Sequence, residues 1–98
     1  MENTNNNPLV SIIIVCFNHD KFIEECLISV FNQIYPDFEL LVVDNSENTL
    51  SQEKIERLMQ EHDFVFIKQD NIGLPKTLNK FIPFTKGQYL IVMSADDV

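Results

Sequence analysis

The sequence predicts an α/β fold, an open parallel sheet with helices on both faces. Three observations carry that reading. Four apolar runs rich in Ile, Val and Leu recur along the chain, each halted by polar or turn-forming residues. Between them lie segments whose apolar residues repeat at helical spacing. Connections of about a dozen residues or more suit crossovers between parallel strands, whereas antiparallel neighbours need only short turns. Right-handed crossovers and the usual winding of such sheets give the strand order 3-2-1-4.

Each element has a local cause. Residues 1–7 (MENTNNN) hold four asparagines and almost nothing apolar, so residues 1–8, closed by Pro8, are expected to form a disordered tail. Leu9 to Phe17 is a nearly continuous apolar run rich in Ile and Val, which fits a strand covered on both faces. Asn18, His19 and Asp20 interrupt it, with Asp20 a candidate helix N-cap. Phe22, Ile23, Cys26, Leu27, Val30, Phe31 and Ile34 then line one face of a helix, and Pro36 ends that region.

Phe38 to Val43 forms the second strand, stopped by Asp44-Asn45-Ser46. Thr49 and Gln52 match a capping box for the second helix. Leu50, Ile55, Leu58 and Met59 give that helix its apolar stripe, and Glu53 and Arg57 form a favourable i,i+4 pair. Phe64 to Ile67 is the third strand, and Gln69 to Gly73 a polar turn. Pro75 suits the first turn of a third helix that carries Leu74, Leu78, Phe81 and Ile82. Lys86-Gly87 turns the chain into the fourth strand, Gln88 to Met93.

Composition narrows the function. The chain has 98 residues, 45% of them apolar and 22% charged, which suits one small globular domain over residues 9–98. Fifteen acids against seven bases give a formal charge of −8, the wrong sign for nucleic acid or an anionic membrane. No apolar run approaches the roughly 20 residues that cross a bilayer. Cys16 and Cys26 form no metal or redox spacing and read as inert core thiols, and a cytoplasmic location is expected. His19 and His62 share no ligand spacing. Only two glycines are present, Gly73 and Gly87, so neither a dinucleotide loop nor a phosphate loop of the glycine-rich kind can be built.

The predicted topology gathers four sets of polar residues at the carboxyl edge of the sheet, near the point where the winding reverses. They are Asn18, His19 and Asp20; Asp44, Asn45 and Ser46; Gln69, Asp70 and Asn71; and Asp96 with Asp97. Adjacent carboxylates repel unless a positive charge is near, and Mg²⁺ or Mn²⁺ is one solution. A solvated turn or a helix N-cap is the other reading of Asp96-Asp97. For Asp44 the alternative is an Asx turn closing residues 44–46. For Lys76 it is a solvated surface lysine.

The segments V-S-I-I-I-V-C-F-N, F-E-L-L-V-V-D-N-S, D-N-I-G-L-P-K-T-L-N and G-Q-Y-L-I-V-M-S-A-D-D together resemble the N-terminal, nucleotide-sugar-binding half of a family 2 glycosyltransferase of GT-A fold. The resemblance spans residues 9–97. It implies an inverting transfer from a nucleoside-diphosphate sugar, with UDP-sugar the expected donor, to a saccharide or lipid-linked acceptor. Phe17 and Asn18 fall near the nucleobase in that comparison, and Asp44 on the uracil or ribose. Asn71 and Gly73 match the N-x-G turn beside the nucleotide. Asp96 matches the last aspartate of the D-x-D metal motif and Asp97 follows it, so both are candidate ligands for Mg²⁺ or Mn²⁺. Lys76 is the candidate cation near the phosphates. Ser94 stands at the first D-x-D position, and Leu78 where the family often has Arg.

The resemblance also implies a catalytic base and an acceptor site beyond these 98 residues, so the chain is expected to be inactive alone. In such a fragment the fourth strand is an open edge and an expected self-association surface. Three alternatives stand beside this reading. They are a sugar nucleotidyltransferase, a receiver-like phosphoacceptor module, and a non-catalytic α/β interaction domain.

Overall fold

The computed structural model describes residues 9–17, 20–33, 37–47 and 49–94. Its elements run β1 (Val10–Cys16), α1 (Asp20–Asn32), β2 (Phe38–Asp44), α2 (Leu50–Met59), β3 (Val65–Lys68), α3 (Leu74–Phe81), a 3₁₀ turn (Ile82–Phe84) and β4 (Tyr89–Ser94). The four strands form one sheet in the order β3-β2-β1-β4, and every pairing is parallel. This is the predicted α/β architecture. The crossover through α3 carries the chain past β2 and β1, so the winding reverses between β1 and β4.

The apolar run of β1 is explained by its place. Ile12, Ile14 and Cys16 face the layer of α1 and α2, where they join buried Ile23, Leu27, Val30, Leu40, Val42 and Ile55. Ile13 and Val15 face the other way, with Val43 and Phe81, under Leu74, Leu78 and Ile82. A central parallel strand covered on both faces has no solvent side to make polar. The sheet edges differ. In β4, Tyr89, Leu90 and Val92 are exposed, so the strand expected to be an open edge is one.

The amino end of the sheet is clamped. Glu39, second in β2, accepts a hydrogen bond from the Ser11 hydroxyl and one from the Lys86 N–H at 2.6 Å. Ser11 Oγ in turn accepts from the Gly87 N–H at 2.8 Å, and Gln88 N–H donates to the Leu9 carbonyl at 2.8 Å. A Cβ on Gly87 would lie 2.4 Å from Ser11 Oγ and 2.7 Å from Ser11 N. Only glycine fits there. The clamp sets the register of β4 on β1, from Val10 opposite Tyr89 to Val15 opposite Ser94.

Several local expectations change. Thr49 is the N-cap of α2, but its side chain makes no capping bond. Gln52 reaches forward to Glu56 at 3.2 Å instead of back to Thr49, so the capping box does not form. Arg57 pairs with Glu24 of α1 at 3.8 Å, beside the Lys54–Glu24 pair at 3.3 Å, because α1 packs along α2 and offers a nearer acid than Glu53. In α2 only Ile55 and Ser51 are buried, while Leu50 and Met59 are exposed; the helix is tethered by its middle. Helix α1 begins at Asp20 itself, so the residue expected to cap the helix is its first residue. Residues 1–8, with the predicted tail, and Ile34 lie outside the described residues.

Candidate functional site

The carboxyl ends of β1, β2 and β3 are sewn together around Asp44. The Asn45 N–H donates to the Cys16 carbonyl at 2.8 Å, and the Gln69 N–H to the Asp44 carbonyl at 3.1 Å. The Asp44 side chain is wholly buried. Its Oδ1 accepts the Ser46 N–H at 2.9 Å, which is an Asx turn. Its Oδ2 accepts from Lys68 Nζ at 3.2 Å, and the same ammonium donates to the Ser46 carbonyl at 2.8 Å. Lys68 ends β3 directly opposite Asp44 in the parallel register. A buried carboxylate needs such a partner, since its desolvation is costly when uncompensated.

A second polar network links the β2 end to α3. Asn45 is buried, and its Nδ2 donates to Thr77 Oγ1 at 3.1 Å. The Thr77 hydroxyl donates to the Gly73 carbonyl at 2.8 Å and also accepts from Gln69 Nε2 at 3.3 Å. Lys80 Nζ holds Gln69 Oε1 at 3.1 Å. Because Thr77 gives its proton to Gly73, it must accept from Asn45, and that orients the Asn45 amide. Asn45 Oδ1 is left buried with no hydrogen-bond partner among the described residues.

The turn into α3 is shaped by Asn71 and Gly73. Asn71 Oδ1 accepts the Gly73 N–H at 2.9 Å. Gly73 caps α3 with φ +87°, a backbone state that glycine adopts without penalty and side chains resist. The loops after β2 and β3 enclose a recess of about 730 Å³, walled by Asn45, Ser46, Glu47, Lys68, Gln69, Asp70 and Asn71.

The structure thus brings Asn71, Gly73 and Asp44 into one corner of the sheet edge. Asp44 lies behind the recess, screened from solvent, and does not wall it. Phe17 is half-buried just past β1, and Lys76 is exposed in the first turn of α3; neither walls the recess. Asn18, Asp96 and Asp97 lie outside the described residues, and β4 ends at Ser94 opposite Val15. Among the described residues no group of three or more His, Cys, Asp or Glu could hold a metal. None of their helices is long and apolar enough to cross a membrane.

The thiols match a structural role. Cys16 is buried and donates to Ser51 Oγ at 3.4 Å. Cys26 is half-buried with Sγ 3.2 Å from Met93 Sδ, where burial, and then the neighbouring Cys16, pushes its thiol above the ordinary range. Neither is placed as a thiolate nucleophile. His62 stacks on Phe31 at 3.7 Å between ring centroids, a packing role.

A reading of the sequence by single motifs places Asn45 at the sheet edge without a role and passes over Lys68 and Thr77. Lys68 was within reach of it: strands 2 and 3 are neighbours in the predicted order, and each ends on a charged residue of opposite sign. Thr77 sits mid-helix and acquires its role only from the packing of α3 on the sheet.

Comparison with known proteins settles the family. The profile described as Glycosyl transferase family 2 matches residues 11–98. The chain belongs to glycosyltransferase family 2. An uncharacterized glycosyltransferase of Methanocaldococcus jannaschii is 32% identical over 95 residues, covering 93% of this chain and 33% of that relative. A poly-beta-1,6-N-acetyl-D-glucosamine synthase of Staphylococcus epidermidis is 27% identical over 90 residues, covering 91% of this chain and 22% of its own. The chain therefore spans a third or less of these relatives' length. The mannosyltransferase PcManGT of Pyrobaculum calidifontis, solved with GDP-Man and Mn²⁺, superposes with a TM-score of 0.83 over 94% of this chain and 28% of its own, at 23% identity. That likeness establishes a shared GT-A fold. Family membership sets aside the nucleotidyltransferase and receiver readings.

Proposed function

We propose that this domain is the nucleotide-sugar-binding half of an inverting glycosyltransferase. The observation that carries the reading is the recess at the carboxyl ends of β2 and β3, the end of the strands at which open α/β sheets bind ligands. In this proposal Asp44, Asn71 and Gly73 shape the nucleoside pocket, and Phe17 and Asn18 border it from β1. Lys76, exposed in the first turn of α3, adds positive charge toward the phosphates. UDP-sugar is the proposed donor, with a GDP-sugar the competing choice because the mannosyltransferase of the same fold was solved with GDP-Man.

Asp96 and Asp97 would hold Mg²⁺ or Mn²⁺, an all-oxygen donor set that suits a hard cation. Bound there, the cation would neutralise charge on the departing diphosphate. The relatives are about three times longer or more, and we assign the acceptor site and the carboxylate base to that further length. The 98 residues are then a binding unit without turnover. A reducing cytoplasm is the proposed compartment, in keeping with two cysteines that form no disulfide.

The test is titration of the chain with UDP and GDP, with and without Mn²⁺, followed by thermal shift. The expected outcome is stabilisation by one nucleotide that Mn²⁺ enhances and that Asp96→Ala reduces to the metal-free level. Sedimentation of the same samples reads the proposed pairing of β4 edges, which a monomer at every concentration would exclude. One observation favours a second reading. Asp44 and Asn71 both spend side-chain oxygens on internal turns, as a non-catalytic interaction domain would allow. Indifference to both nucleotides would select it.

A further inference from the structure

We propose that the amino end of the sheet, at the other end of the strands from Asp44, carries a docking site for a second polypeptide, which enters it with an arginine side chain. The inference stands apart from the nucleotide-sugar reading and uses none of its residues. Its basis is a second recess, of about 510 Å³, beside the start of β2. The recess has a topological cause. β3 begins at Val65 opposite Leu41, so Phe38, Glu39 and Leu40 have no partner on that strand, and the recess opens beside them. Four rings wall it, those of Phe31, Phe38, Phe64 and His62. Phe31 is fixed by its neighbours: it stacks on His62 at 3.7 Å between centroids and tilts against Phe64 at 5.8 Å. Phe38 is 36% exposed.

Charge selects the occupant. Glu39 and Asp63 wall the recess, and among the described residues no lysine or arginine does. Lys86 acts on Glu39 but is not one of the walls. Exposed Asp37 and Glu61 adjoin Phe38 and His62 in the chain. Helix α1 ends at Asn32, next to Phe31, with no basic residue in its last turn. Helix α2 ends at Met59, three residues before His62, and its Arg57 is paired with Glu24. A helix C-terminus carries partial negative charge and favours a cation. A cleft lined by one sign of charge concentrates the opposite one. Rings beside carboxylates suit a guanidinium in particular, since it stacks on aromatic faces and bonds a carboxylate in its own plane. An ammonium is more strongly hydrated and gains less there. A second copy of this chain is a poor occupant, because each carries a charge of −8. The walls need little ordering by a partner: besides the Phe31 stack, Glu39 is held by the Ser11 hydroxyl and the Lys86 N–H.

The experiment is two-dimensional NMR titration of the 98-residue chain with the peptide acetyl-Gly-Arg-Gly-Arg-Gly-amide, and with the same peptide carrying citrulline, the neutral isostere of arginine. Saturable shifts are expected at Phe31, Phe38, His62 and Asp63, with the citrulline peptide binding about tenfold more weakly. Phe38→Leu keeps an apolar side chain and removes the ring, and should weaken the arginine peptide about fivefold. Asp63→Asn should weaken it about threefold. Both positions are exposed, so both variants are expected to fold. Glu53→Gln removes an exposed acid of α2 that does not wall the recess, and should leave binding unchanged. Equal affinity for the arginine and citrulline peptides overturns the inference. So do shifts spread over every acidic face that Phe38→Leu and Asp63→Asn leave untouched, which is attraction to net charge alone. No shift at millimolar peptide overturns it as well. None of these results bears on nucleotide binding, which is read in the separate titration with UDP and GDP.

Discussion

The two ends of β2 each carry a carboxylate, and they are held in different ways. Glu39, at the amino end, is gripped by the main-chain N–H of Lys86 and the hydroxyl of Ser11, which itself holds the Gly87 N–H. Those donors belong to backbone and to a short side chain, so moving Glu39 means moving strands. Asp44, at the carboxyl end, is held by one main-chain N–H and by Lys68, a long side chain that is partly in solvent. A lysine can swing while the sheet stays still. One end of the strand is therefore a fastening and the other an adjustable polar surface. The difference is in keeping with the ligand site proposed for the carboxyl edge: its polar groups can change partners without unzipping the core.

The sharpest way to break this comparison is Gly87→Ala. The new methyl would sit against Ser11 Oγ, Ser11 N and the Leu9 carbonyl, two of them main-chain atoms, so the β4 turn must shift. A loss of about 2–3 kcal/mol in urea denaturation is expected, in the range of overpacking. A loss below about 0.5 kcal/mol, the scale of ordinary surface changes, would show that the amino end is not a fastening.

Lys68→Met comes next. It leaves a buried carboxylate held by the Ser46 N–H without its ammonium counterion. Stability should fall by about 1–2 kcal/mol, because a charge that loses its counterion pays its desolvation unaided. Asp44→Asn in the same background should recover part of that loss, and failure to recover any would mean the pair is not the source.

Glu39→Gln carries the smallest effect and is read through pH. Burial pushes the Glu39 carboxyl up, but the Lys86 N–H, the Ser11 hydroxyl, the Lys86 charge and the Gly87 N–H together bring it below the ordinary 4.5. A carboxyl with a lowered folded pKa contributes stability at pH values above the unfolded one, and loses it as pH falls through the folded one. Melting temperatures of the unaltered chain should drop in the acid range below pH 4.5, and part of that slope should vanish in Glu39→Gln. Identical slopes in both chains would remove Glu39 from the account.

Much of this was legible in the letters. The run Leu9 to Phe17 has no polar alternation, and that alone places it in the middle of a parallel sheet. The order 3-2-1-4 follows from crossover handedness and needs no side-chain contact. The four motifs after the strands identify the family whose profile matches residues 11–98. What failed was local. Thr49 and Gln52 have the right identities for a capping box, yet Gln52 finds Glu56, and Arg57 finds Glu24 on another helix. A motif lists who could bond; competing partners brought in by folding decide who does.

Chain order, hydrophobic period and turn chemistry were enough to set the sheet, its winding and the corner where polar residues gather. Those depend on backbone sterics and burial, which a sequence states directly. Tertiary packing alone decided that Asp44 sits behind Lys68, that Thr77 turns the Asn45 amide, and that Gly87 has room for no side chain. Each is a matter of which atoms arrive within a few ångströms across tens of residues, and hydrogen-bond competition at that range is resolved by geometry that no single segment contains.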